Sequence, residues 1–268
     1  MFPDTPATRL QTVVVEFGAA KSGKPPATLG RALYAQVLEW FKLGNDRVAA
    51  AIHDAKISPL SVSGLLGHRH PVKNKSGDRF YCRIGLLDGG LVSQLLNGLE
   101  IAERESLTLG KFPFKVRMVY ALPDSHRLVK AAQYRQLAEI SATREISLDF
   151  HSPTSFKQKQ YVQPFPLPTL VFSSLLRRWN GFAPEDLHFP RQEWEGFVAA
   201  YDLKTYALKM EGGAEIGSQG WARYRFPNPE QARIASILAQ FAFFAGVGRK
   251  TSMGMGQTVI SEQRTVIS

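Results

Sequence analysis

GVGRKTSMGMG, residues Gly246–Gly256, sets glycines around two adjacent cations and two hydroxyls near the end of a chain of 268 residues. Nucleotide phosphate is the first chemistry such a stretch suggests, because glycines let backbone N–H groups close on an anion. The spacing argues against both common nucleotide loops. A Walker A loop needs glycine immediately before its lysine, and Arg249 precedes Lys250. A G-x-G-x-x-G fingerprint begun at Gly246 needs glycine where Thr251 stands. Both motifs also follow a strand and open a helix. Here the order is reversed. NPEQARIASILAQFAFFAGVG (Asn228–Gly248) reads as a helix, capped by Asn228, with Pro229 in its first turn and Ile234, Leu238 and Phe241 as its apolar stripe. GQTVIS (Gly256–Ser261) reads as a closing strand. There is no room for a βαβ nucleotide unit. From the residues alone, the loop is either an anion-binding surface or a tight helix-to-strand turn with solvated cations.

Upstream of that helix, REISLDF (Arg144–Phe150) reads as a strand and PTLVFSSLLRRWNGF (Pro168–Phe182) as a helix with Val171, Leu175 and Trp179 on one face. VAAYDLKTYALKM and WARYRF read as a strand pair. The first half has the same rhythm. RLQTVVVEFG (Arg9–Gly18) is a strand, RALYAQVLEWFKLG (Arg31–Gly44) a helix with Gly44 at its C-cap, and NDRVAAAIHDA (Asn45–Ala55) a short helix capped by Asn45. ISPLSVSGLLG and DRFYCRIGLL are strands joined by the basic loop HRHPVKNKSGD; LVSQLLNGLE is a helix and FPFKVRMVYAL a strand. PDSHRLVK (Pro123–Lys130) reads as a linker. The expected fold is α+β: two tandem ferredoxin-like (RRM-like) βαββαβ domains, residues 1–124 and 125–268.

Composition narrows the partner. Lys and Arg total 33 against 23 Asp and Glu, a net charge of +10, which favours a polyanion such as nucleic acid. Cys82 is the only cysteine, so no internal disulfide or thiolate metal site can form; its alternation with Phe80 and Ile84 predicts a small buried hydrophobe on a strand. No cationic, apolar leader and no run near the ~20 residues of a membrane span is evident, so a cytoplasmic chain without a membrane partner is expected.

At the glycine loop the chain resembles a known family. FAGVGRKTSMGMGQT (Phe244–Thr258) resembles the C-terminal glycine-rich motif of the CRISPR repeat-processing endoribonucleases, Cas family six within the repeat-associated RAMP proteins. LDFHSPTSFK followed by PFPLPTLVFSSLLRRWN is similar to the start of that family's second domain, with its strand, SPT-x-F turn and basic-aromatic helix. VAAAIHDAKISPLSVSGL is a weaker match, at a place where the family often carries a histidine. The resemblance implies two ferredoxin-like domains and metal-independent cleavage of precursor CRISPR RNA within repeats. It implies no cofactor.

Cleavage of that kind uses the ribose 2′-OH as nucleophile and leaves a 2′,3′-cyclic phosphate and a 5′-OH. The protein must move protons and neutralise the phosphorane. Of the six histidines, His53 falls at the family position. Lys56 would supply charge and Arg31 electrostatic help, whereas the alternatives are solvated cations. Some family members pair the histidine with a tyrosine; this chain has Leu38 there, with Tyr34 one turn earlier. Gly246, Gly248, Arg249, Lys250, Thr251, Ser252, Gly254 and Gly256 of the loop, Arg177 and Arg178 of the helix, and Lys157 and Lys159 after the SPT-x-F segment are the expected RNA contacts. HRH at His68–His70 lacks a carboxylate or cysteine partner pattern, and the carboxylates of EDLHFPRQEWE lack a two-metal signature, so no metal is expected. The alternative function is a non-catalytic repeat-RNA-binding subunit of an effector complex. Partners are repeat RNA and effector subunits, with the chain a monomer or homodimer.

Overall fold

The computed structural model describes residues 8–67, 73–102, 106–210 and 213–261. The HRH segment at residues 68–70 lies outside them. The fold is mixed α/β with antiparallel sheets, in two compact units: residues up to Ala132 with Ser252–Gly254, and Gln133–Thr251 with the chain from Met255 onward.

In the first unit β1 (Arg9–Ala19) leads into α1 (Gly30–Gly44) and α2 (Asp46–Asp54), then β2 (Leu60–Val62), β3 (Arg79–Leu86), α3 (Leu91–Ala102), β4 (Leu107–Leu109) and β5 (Phe112–Tyr120). The strands lie in the order β2-β3-β1-β5-β4, with β1 antiparallel to both β3 and β5. Alternation along β1 sends Val13, Val15 and Phe17 into the core, where Phe17 stacks on Trp40 at 6.3 Å and meets Phe114 edge-on at 6.0 Å. Gly44, expected as a helix cap, has another role. The helix is closed by Asn45, while a Cβ on Gly44 would lie 1.9 Å from the Gln94 carbonyl, and one on Gly98 1.7 Å from the Trp40 carbonyl. The missing side chains let α1 and α3 approach backbone to backbone. Asn45 also caps α2 as expected, its Oδ1 accepting from Val48 N at 3.3 Å. Cys82 is fully buried, and burial pushes its thiol up to about 12, so it behaves as the apolar residue its alternation predicted.

The stretch read as a linker belongs to this first unit. Thr12 Oγ1 donates to Leu128 O at 2.7 Å and accepts from Lys130 N at 2.8 Å, and β6 (Ala131–Gln133) pairs with β1. The His126 ring lies against Tyr81 and Tyr120, centroids 5.3 and 5.2 Å away and the planes tilted by 33° and 36°. The division therefore falls at Ala132, eight residues beyond the expected residue 124, because these residues are bonded to β1.

The second unit runs α4 (Tyr134–Ala138), β7 (Glu145–Thr154), β8 (Phe156–Gln158), β9 (Tyr161–Gln163), α5 (Pro168–Phe182), β10 (Phe197–Met210), β11 (Gly213–Arg225), α6 (Pro229–Ala245) and β12 (Thr258–Ile260). Its main sheet has the order β10-β11-β7-β12. Leu148, Phe150, Ala222 and Tyr224 point from that sheet into a core shared with Phe172, Trp179 and Phe241. Asn228 caps α6 as expected, its Oδ1 accepting from Glu230 N and Gln231 N. The expected SPT-x-F turn is strand instead: β7 runs through Thr154 and β8 starts at Phe156. Counting only β1, β2, β3 and β5 in the first unit and β7, β10, β11 and β12 in the second, both sheets place their strands second, third, first, fourth; the first sheet adds β4 outside β5 and β6 beside β1.

Candidate functional site

The glycine-rich loop is held by bonds that use up most of its own amides. Gly246 N donates to Ala242 O, Val247 N to Gly256 O, Gly248 N to the Ser174 hydroxyl, Arg249 N to Ser155 O, Met255 N to Lys250 O and Gly256 N to Pro153 O. Gly254 N donates to Val62 O at 3.0 Å within the first unit. These N–H groups are spent inside the protein, which corrects the expectation that Gly246, Gly248, Gly254 and Gly256 would aim amides at phosphate. The glycines are needed for backbone shape. Gly248 has φ +82°, and a Cβ there would sit 2.4 Å from the Ser155 carbonyl.

Arg178 is corrected as well. It is 5% exposed and donates through Nη1 to Ala245 O and, at 2.9 Å, to Thr251 Oγ1. Burial, opposed by Tyr134 and reinforced by the charge of Arg177, brings its guanidinium down to about 10, so it stays protonated at neutral pH. Arg178 ties the end of α6 to the loop and is out of reach of a surface ligand. Thr251 is buried with it. Its neighbour Arg177 is exposed on α5.

What the loop presents outward is Arg249 and Lys250, both half-buried, with Ser252 beside them in sequence. Both cations meet one carboxylate: Arg249 Nη1 lies 3.0 Å from Glu215 Oε2 and Lys250 Nζ 2.5 Å from Glu215 Oε1. Glu215 stands on β11 and went unnoticed in the sequence, 34 residues from its partner. Lys157 and Lys159 are exposed on the β8–β9 hairpin together with Tyr161, which is 68% exposed. The hairpin was also missed, because FKQKQYVQ is apolar only at Phe156, Tyr161 and Val162 and shows no strand alternation.

In the first unit, His53 occupies the last turn of α2, Lys56 follows the helix, and Arg31 lies in the first turn of α1; all three are exposed. Tyr34 is half-buried against the core, and burial raises its phenol, while Leu38 packs there too. Among the described residues, no group of three or more His, Cys, Asp or Glu comes together as a metal centre requires.

The chain thus has two antiparallel α/β units, one carrying a basic glycine-rich loop and the other an exposed histidine at a helix end. The model of the CRISPR-associated endoribonuclease Cas6 matches residues 148–258, the segment from β7 through the loop. The CRISPR-associated endoribonuclease Cas6 of Mycobacterium tuberculosis is 29% identical over 124 residues, 42% of this chain and 38% of that protein, so the match spans well under half of either. Solved structures extend the likeness over the whole fold. One Cas6 product complex gives a TM-score of 0.81 at 26% identity, covering 95% of this chain and 100% of the other. A second gives 0.75 at 29%, with the same coverage. The chain is thus similar to Cas6 proteins in sequence over residues 148–258 and in fold over 95% of its length.

Proposed function

We propose that the chain is an endoribonuclease that cuts precursor CRISPR RNA within its repeats. The 2′-OH attacks the adjacent phosphorus and no metal takes part, leaving a 2′,3′-cyclic phosphate and a 5′-OH. His53 serves the proton transfers and Arg31 and Lys56 the charge on the phosphorane. The likeness to Cas6 product complexes over 95% of the chain carries this reading. The shared strand order supports two tandem ferredoxin-like units, since a split βαβ followed by a second one gives second, third, first, fourth. Arg249, Lys250, Arg177, Lys157 and Lys159 form the RNA-facing set, with Ser252, and Arg178, Thr251 and the glycines hold the loop in shape. Repeat RNA incubated with the protein in EDTA should be cut once per repeat, and the 3′ end should resist ligation that needs a free 3′-OH until the cyclic phosphate is opened and the phosphate removed. Tight binding without cutting would point instead to a non-catalytic subunit.

Glu215 sets a second expectation. An RNA phosphate must compete with this carboxylate for Arg249 and Lys250. Glu215→Gln should tighten repeat-RNA binding about tenfold at low salt and steepen the log–log salt slope by about one to two. Weaker binding by the variant would show that Glu215 positions the cations.

A further inference from the structure

The open face of the second unit's sheet carries a site that the cleavage reading does not use. Trp221 on β11 lies directly opposite Asp202 on β10 and Asp149 on β7, so one cross-strand row reads carboxylate, indole, carboxylate. Directly opposite side chains on one sheet face stand about 5 Å apart at Cβ. All three project away from the buried row of Leu148, Ala222 and Tyr224. A bulge between Ser218 and Gly220, where Gly220 has φ +124°, deepens the surface beside Trp221. The result is a cavity of about 400 Å³ lined by these groups and by Lys204, His151, Tyr206 and Gln219. Among the described residues neither aspartate side chain has an ion-pair or hydrogen-bond partner. Each flanking row carries one cation: Lys204, two residues along β10 from Asp202, and Arg223, two residues along β11 from Trp221.

We propose that this hollow binds one unpaired nucleotide of an RNA strand and selects guanine. The base stacks on Trp221, a contact open to any base. The carboxylates choose among bases, because they only accept hydrogen bonds and guanine offers N1–H and N2–H₂ side by side. Uracil offers a single N–H between two carbonyls that face the carboxylates unfavourably. Lys204 and Arg223 take the phosphates on either side, and their charge disfavours the competing occupant, a cationic side chain of a partner protein. The choice of RNA as ligand rests on the proposed function; the base selectivity rests on this row alone.

Trp221 reports its own occupancy, since the other three tryptophans, Trp40, Trp179 and Trp194, are buried. A uridine heptamer and the same heptamer with one central guanosine are titrated into the full chain, with indole fluorescence as readout. The guanosine heptamer should quench and bind about tenfold more tightly than the uridine one, and Asp149→Asn with Asp202→Asn should erase that preference without loss of folding. Equal affinity for both heptamers, a preference that survives the double substitution, or quenching by an arginine-rich peptide instead overturns the inference. Neither heptamer is repeat RNA. Absence of repeat cleavage with guanosine selectivity intact would therefore count against the proposed nuclease alone, and the reverse against this site alone.

Discussion

Replacing His53 with alanine should slow repeat-RNA cleavage by about 100- to 10,000-fold, the range that a positioned general acid or base contributes. The same change should leave folding almost untouched. His53 is exposed in the last turn of α2, where the helix is anchored by Ala49 and Ile52 in the core and by the Asn45 cap. Exposed substitutions away from caps and cores cost within about 0.5 kcal/mol. Repeat-RNA affinity should also stay within about twofold, because the proposed binding cations are elsewhere in the chain. Single-turnover cleavage, a thermal melt and a binding titration on one preparation separate the three quantities. Undiminished cleavage by the variant would remove His53 from the mechanism, and Lys56→Ala and Arg31→Ala would then be the next substitutions to measure.

Much of the frame was readable because local chemistry and burial agree along it. Asn45 and Asn228 cap the helices they were expected to cap, and the stripe Val171, Leu175, Trp179 is buried as its period requires. Strand lengths were less readable. β11 begins at Gly213, eight residues before the expected WARYRF, because EIGSQG resembles a turn by composition. It is strand only because the register with β10 continues from Met210↔Gly213 through Asp202↔Trp221. Pairing partners far apart in the chain can override a weak local preference, and a single sequence does not display them.

The site divides in the same way. The cations of the loop are plain in the sequence, but the carboxylate that binds them is not, since Glu215 reaches them only through the long β10–β11 hairpin. The spent amides are equally hidden: a glycine-rich loop looks the same whether its N–H groups face solvent or Ser155 and Pro153. The two arginines of RRWN were within reach of the pattern. Arg178 follows Leu175 by three and Val171 by seven, which puts it on the buried face of α5, and Arg177 falls outside that stripe.

That placement makes Arg178→Ala the substitution with the largest expected effect on stability. The guanidinium satisfies Ala245 O at the end of α6 and the Thr251 hydroxyl in the loop. Alanine leaves both in a dry site together with the space of a long side chain. Unsatisfied buried groups cost about 1–3 kcal/mol each, and the loss should total about 3 kcal/mol. For a unit of this size that lowers Tm by about 10 °C. Lysine keeps the charge, but both bonds come from Nη1 at the tip of the guanidinium, one atom farther out than a lysine Nζ, so Arg178→Lys should recover no more than half of the loss. Arg177→Ala, one residue away and exposed, is the matched control and should shift Tm by less than about 2 °C. A release of the loop also predicts that Arg178→Ala, assayed at a temperature where it remains folded, binds repeat RNA about tenfold more weakly although Arg178 cannot reach the ligand. An unchanged Tm would mean that the loop keeps its shape without this anchor, and the burial argument for Arg178 would fail with it.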